Sequence, residues 1–96
     1  MYVVKLTYPA DLTEIDARLS EHVAWLEEQY ASERLLASGR QEPRLGGVLL
    51  FASIPRTELD AALARDPFAG VAEYEVTKFL ASKTHDALAA FRDEQS

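Results

Sequence analysis

The sequence predicts an α+β fold on one four-stranded antiparallel sheet, and three observations carry that expectation. Residues Tyr2 to Tyr8 alternate with period two, which marks a strand. Leu12, Ile15, Leu19, Val23, Leu26 and Tyr30 recur at steps of three and four, which marks a long amphipathic helix. The remainder reads strand, strand, helix, strand. The order βαββαβ is the split βαβ, or ferredoxin-like, arrangement, with both main helices on one face of the sheet.

Each element has its own justification. In the first strand Tyr2, Val4, Leu6 and Tyr8 share the face expected to lie under helices, and Pro9 ends the ladder because it has no N–H. Asp11 and Thr13 are rival caps for the helix Leu12 to Tyr30, Thr13 forming a short capping box with Asp16. A short strand follows within Arg34 to Arg40, interrupted at Gly39, where a bulge or a close approach is expected. Gly46 and Gly47 open the strongest strand, whose run from Val48 to Ile54 is almost wholly apolar. A second helix follows Thr57, with Leu59, Ala62 and Leu63 on its buried side, and Asp66-Pro67 stops it. Phe68 to Gly70 reads as a turn. Ala72 to Leu80 is a polar edge strand, and Thr84 to Glu94 a short terminal helix suited to lying across a partner.

The apolar run Val48 to Ile54 asks for burial on both faces. Helices cover only one, so a second sheet from a second copy is expected on the other, giving a homodimer. The rival is a solvated outer face.

At 96 residues the chain predicts one domain, residues 1–96. Hydrophobic residues make up 48% and charged residues 27%, an ordinary globular mixture. The formal net charge of −6 argues against nucleic acid and against attraction to an anionic membrane. With no cysteine, disulfides, zinc-thiolate sites and cysteine nucleophiles are excluded. The first residues lack the features of a signal peptide, and no apolar run reaches membrane-spanning length, so a cytoplasmic protein is expected. No phosphate loop or zinc motif is present, and neither cofactor nor metal is expected.

Two side chains stand out chemically. His22 borders the apolar stripe of the first helix, three residues after Leu19 and four before Leu26, with Trp25 on the same flank. One reading makes it an edge residue of the core. The other makes it a general acid or base, for which an imidazole suits neutral pH. Asp66 is either a helix stop or a carboxylate held where it orients an imidazole. His85 lies in a polar terminal stretch, and Ser38 reads as a turn or bulge hydroxyl.

The ordered set of the first strand, the His22 helix, Leu36-Ala37-Ser38-Gly39, Gly46-Gly47, Asp66-Pro67-Phe68 and Phe79-Leu80-Ala81-Ser82-Lys83 resembles the YCII-related (YciI-like) family of small bacterial proteins. The resemblance runs over nearly the whole chain. It implies a ferredoxin-like fold dimerising as an α+β barrel, and a histidine–aspartate catalytic pair matched here by His22 and Asp66. It does not imply one common reaction. Arg40 departs from the pattern, in which proline often follows Ser-Gly, and places a donor beside the expected pocket.

The first functional expectation is therefore a small-molecule enzyme of lyase or isomerase type. His22 would move a proton and Asp66 would fix its tautomer. Backbone groups at Ser38 and Gly39, with Arg40 or Tyr8, would hold a small polar or anionic substrate. The alternatives are a non-catalytic metabolite-binding or accessory protein, and a purely structural assembly. The geometric expectation is that a His22 nitrogen and an Asp66 oxygen share a cleft within direct or one-water reach.

Overall fold

Alternation along the first strand survives intact in the computed structural model, which describes residues 1–93. Strand β1 spans Tyr2–Thr7, with Tyr2, Val4 and Leu6 buried and Lys5 and Thr7 exposed. After it come helices α1 (Thr13–Ala17) and α2 (Leu19–Ala31), strands β2 (Leu35–Arg40) and β3 (Gly46–Phe51), helix α3 (Arg56–Ala64) and strand β4 (Glu73–Lys78). The sheet order is β2-β3-β1-β4, with every neighbouring pair antiparallel. This is the expected ferredoxin-like topology. Helix α3 caps with Pro55 rather than Thr57, and its buried side is Leu59, Ala62 and Leu63 as the spacing requires.

The barrel implied by the resemblance is not what the chain forms. Strands β2 and β4 each pair on one side only, so the sheet is open. Four twisted strands are too few to close on themselves. Both edges carry the features that discourage further pairing. A register shift lies between Leu35 and Ala37 on β2, while β4 presents Glu73, Glu75 and Lys78. The bulge thus falls at Leu36 and not at Gly39.

Within the single chain β3 is buried on one face. Gly47, Leu49 and Phe51 are buried under the helices, whereas Val48 is 40% exposed and Leu50 half-buried. The strand alternates because the helices cover one face of the sheet.

The long helix differs from its expected form in two ways. It breaks at Arg18, and its buried arc keeps only part of the expected stripe, with Ile15 buried and Leu12 and Leu26 packed against the core. Ile15, His22, Trp25 and Gln29 face the core, while Leu19, Val23 and Tyr30 are exposed. The core side is displaced toward His22 by most of one residue step, which is ~100° of helix rotation. Trp25 explains part of this, because its indole N–H donates to the Ala62 carbonyl at 3.0 Å and ties α2 to α3. Gln29 explains another part. It is fully buried and accepts from Arg34 Nε at 3.0 Å, at the entry to β2.

The core between sheet and helices is built on Val4, Leu6, Ile15, Phe51, Leu59 and Phe68. Gly46 is required by close approach, since a Cβ there would lie 1.8 Å from the Leu6 carbonyl oxygen. Beyond β4, Asp86–Phe91 forms a 3-10 turn capped by His85, whose Nδ1 accepts from the Ala87 N–H. Glu94, the last residue of the expected terminal helix, lies outside the described residues. Among the described residues no helix is long and apolar enough to cross a membrane.

Candidate active site

Helix α2 carries His22 inward, and the turn after α3 brings Asp66 to meet it. His22 Nδ1 and Asp66 Oδ1 are 2.7 Å apart, with the carboxylate side chain fully buried. Pro67 forces the chain out of the helix at this point. The turn that results lets the carboxylate fold back on its own backbone, where Oδ1 also accepts the Phe68 N–H at 3.0 Å. Oδ2 accepts the hydroxyl of Tyr74, from β4, at 2.5 Å. Three donors from three elements therefore hold one carboxylate in place.

The imidazole plane is fixed as firmly as its edge. The Phe68 ring lies parallel to it, 3.9 Å between centroids and 8° between planes. Trp25, one helical turn on, stacks at 5.7 Å and 27°. Neither ring rotation nor a flip is free under these contacts. Nδ1 is committed to Asp66, so Nε2 is the nitrogen left for chemistry. Among the described residues no hydrogen bond engages it.

His22 also lines a pocket of ≈ 260 Å³ between α2 and the sheet. Its helical wall is Leu19, Val23 and Leu26, and its floor includes Leu6, Gly47 and Leu49. Tyr8, Ser38, Gly39 and Arg40 complete the rim. The exposed leucine flank of α2 thus serves this hollow rather than the core. Gly47 keeps the floor low: a Cβ there would lie 3.1 Å from the Gly39 carbonyl oxygen and 3.3 Å from the Tyr8 hydroxyl.

Of the six residues expected from sequence, five line this one pocket. Asp66 stands behind His22 and supports it. Ser38 faces the pocket with its hydroxyl already bonded to that of Tyr30, at 2.7 Å, which bridges α2 to the edge strand. Gly39 is not sterically required, because nothing lies within 4 Å of a Cβ built there. Arg40 has no carboxylate partner among the described residues, whereas Arg18, Arg34, Arg44, Arg56 and Arg65 each have one. Tyr8 packs edge-on against Phe68 at 5.7 Å. Its phenol is raised above the usual tyrosine range, first by burial and further by the charge of Asp66, with Arg44 opposing. It stays a proton donor at neutral pH.

Sequence reasoning missed Phe68 and Tyr74. Phe68 read as a turn residue, although an aromatic directly after Asp-Pro was a signal that the turn is buried. Tyr74 falls within the strand that reads as a polar edge, and only the register Leu6↔Tyr74 shows that it reaches the site. Burial and the bond to Asp66 raise the Tyr74 phenol far above its ordinary range. Among the described residues no three His, Cys, Asp or Glu side chains gather in a way that could hold a metal ion.

Comparison with known proteins adds two findings. Among solved structures, the chain is similar to 5-chloro-2-hydroxyhydroquinone dehydrochlorinase from Burkholderia phenoliruptrix AC1100, in complex with 2,5-dihydroxybenzoquinone. The TM-score is 0.67 at 19% identity, over 82% of this chain and 93% of the other. At that identity the likeness speaks for the fold. No curated protein matches. The family model described as the YCII-related domain matches residues 1–80, and the chain belongs to that family.

Proposed function

We propose that the protein is a small-molecule enzyme in which His22 moves a proton to or from a substrate carbon. The single observation that carries this reading is the 2.7 Å bond from His22 Nδ1 to a buried Asp66, made by a ring that lines a pocket. Asp66 holds the proton on Nδ1 and leaves the Nε2 lone pair as the base. It also stabilises the imidazolium that forms when Nε2 takes the proton.

The reaction class is elimination or isomerisation. His22 Nε2 removes a proton from a C–H bond, whose electron pair becomes a new double bond or an enolate. In elimination an anionic group departs from the neighbouring atom. In isomerisation the imidazolium returns the proton to another carbon. Tyr8, held protonated, would donate to the developing oxyanion, and Arg40 would hold a negative group. The enzyme of similar fold is named for removal of hydrogen chloride, which supports base-initiated elimination as the first class to test. The reading includes a cytoplasmic setting. The half-exposed Val48 and Leu50 on the uncovered sheet face support a homodimer.

The test uses cellular metabolite extract in heavy water, with wild type and His22→Ala in parallel. A product mass or a deuterium incorporation that requires His22 is the expected result. Retention of an unchanged compound by both proteins would replace catalysis with simple binding.

A further inference from the structure

We infer that the pocket takes a compact monoanion with an apolar, ring-sized body, its negative group on Arg40 and its body against the leucine wall of α2. The inference names the substrate class for the pocket proposed above as the active site, and it rests on charge and shape rather than on His22 chemistry.

The charge argument begins with what is missing from the lining. The chain carries 16 Asp and Glu residues in 96, yet among the described residues none lines this pocket. Two of the other surface hollows contain glutamates, namely Glu21 and Glu28 in one and Glu73 in another, while a third shares Ser38, Gly39 and Arg40 with this pocket and opens on Val48 and Leu50 across the sheet. In a protein of net charge −6, a lining with an arginine and no carboxylate is unusual, and the nearby Asp66 is turned away behind His22 with its oxygens bonded to His22, the Phe68 N–H and Tyr74. The five arginines with acidic partners show how readily this surface supplies them. Arg40 is left with its guanidinium donors to offer, and a carboxylate or enolate oxygen answers them with charge-assisted bonds. Among the described residues Arg40 is the one lysine or arginine in the lining, which matches one negative charge and not a dianion.

The shape argument concerns the rest of the ligand. Leu19, Val23 and Leu26 make one wall, and Leu6 and Leu49 lie opposite. Leu19 and Val23 are 43% and 45% exposed, apolar surface that a ligand would cover. A volume of ≈ 260 Å³ is below the roughly 300 Å³ at which pockets for drug-sized ligands begin. A single ring bearing one acidic group fits such a space, whereas a nucleotide or a peptide does not.

The experiment titrates benzoate, benzamide and acetate into the whole protein and follows the backbone and His22 resonances by NMR. Benzoate is expected to bind with shifts at His22, Gly47 and Leu49. Benzamide lacks the charge and acetate lacks the body, and each is expected to bind about tenfold more weakly or worse, the loss of one charged hydrogen bond or of the apolar contact. Arg40→Gln should abolish the preference for benzoate over benzamide, and Arg40→Lys should restore part of it. Arg40 is exposed, so neither variant threatens the fold. The preference for benzoate over benzamide and its loss in Arg40→Gln are read by binding alone, so the substrate class stands or falls on them whether or not His22-dependent turnover is found. The inference is overturned if benzoate fails to bind, if benzamide binds equally well, if Arg40→Gln leaves the preference intact, or if the shifts fall on Val48 and Leu50 across the sheet.

Discussion

The Tyr74 hydroxyl lies 2.5 Å from Asp66 Oδ2, so the carboxylate that holds His22 is itself held by the edge strand of the sheet. Register makes this possible: Tyr74 pairs with Leu6, and both face the helices. The support behind the imidazole therefore spans α2, the turn after α3, and β4.

Tyr74→Phe removes that bond and little else. The expected loss of stability is about 1.5–3 kcal/mol, the range for a hydrogen bond to a charged group. Urea denaturation at pH 7 measures it. Alkaline pH gives a second readout with a definite sign. Tyr74 is raised in the folded state, so the stability it contributes is fully present below pH 10 and is lost as pH rises beyond it. Tyr8 is raised as well and adds to the same decline. The gap between wild type and Tyr74→Phe should be largest at neutral pH and shrink above pH 10.

Asp66→Ala strips the acceptor from His22, from the Phe68 N–H and from Tyr74 together. Unmade buried bonds cost about 1–3 kcal/mol each, and neighbouring losses do not simply add. A total of about 3–5 kcal/mol is expected, as for one partner removed from a buried pair. Asp66→Asn keeps the shape and should cost less. It should still abolish His22-dependent turnover, because an amide that donates to Nδ1 favours the wrong tautomer. Denaturation midpoints, read beside activity, separate the two effects.

Adjacent glycines should behave differently. A Cβ at Gly46 meets the Leu6 carbonyl oxygen at 1.8 Å, a backbone contact that cannot yield without parting β1 from β3. Gly46→Ala is expected to cost more than about 4 kcal/mol. A Cβ at Gly47 meets the Gly39 carbonyl oxygen at 3.1 Å and a tyrosine hydroxyl at 3.3 Å, which asks for small shifts. Gly47→Ala should fold, lose about 1–3 kcal/mol, and raise the pocket floor. Thermal melts of the two variants check the contrast.

The topology was legible because each strand and helix carries its own period, and the order of periods defines the sheet. Pro9, the glycine pair and Asp66-Pro67 punctuate it at the right places. The face of the long helix was not legible. Leucine spacing points to Leu19 and Val23, but the residues that bury are His22 and Trp25, bonded to partners distant in sequence, and Gln29, which accepts from Arg34 beyond the helix end. Periodicity measures apolar character and cannot see those partners. It also cannot distinguish an apolar core from an apolar pocket wall, which is what Leu19, Val23 and Leu26 form.

Tyr8, His22, Ser38, Gly39 and Arg40 come together because β1, α2 and β2 converge at one end of the sheet. The supporting shell was harder to see. Phe68 and Tyr74 matter through their contacts with two other side chains, and a linear sequence gives no distance between them.

The central claim is that Asp66 commits Nδ1 of His22 and leaves Nε2 as the base facing the pocket. Nitrogen-15 NMR of the imidazole, taken at a pH where the ring is neutral, reads the tautomer directly. Wild type is expected to show a protonated Nδ1 and an unprotonated Nε2, with a change of this pattern in Asp66→Asn. A protonated Nε2 in the wild-type protein, with Nδ1 as the bare nitrogen, would contradict it.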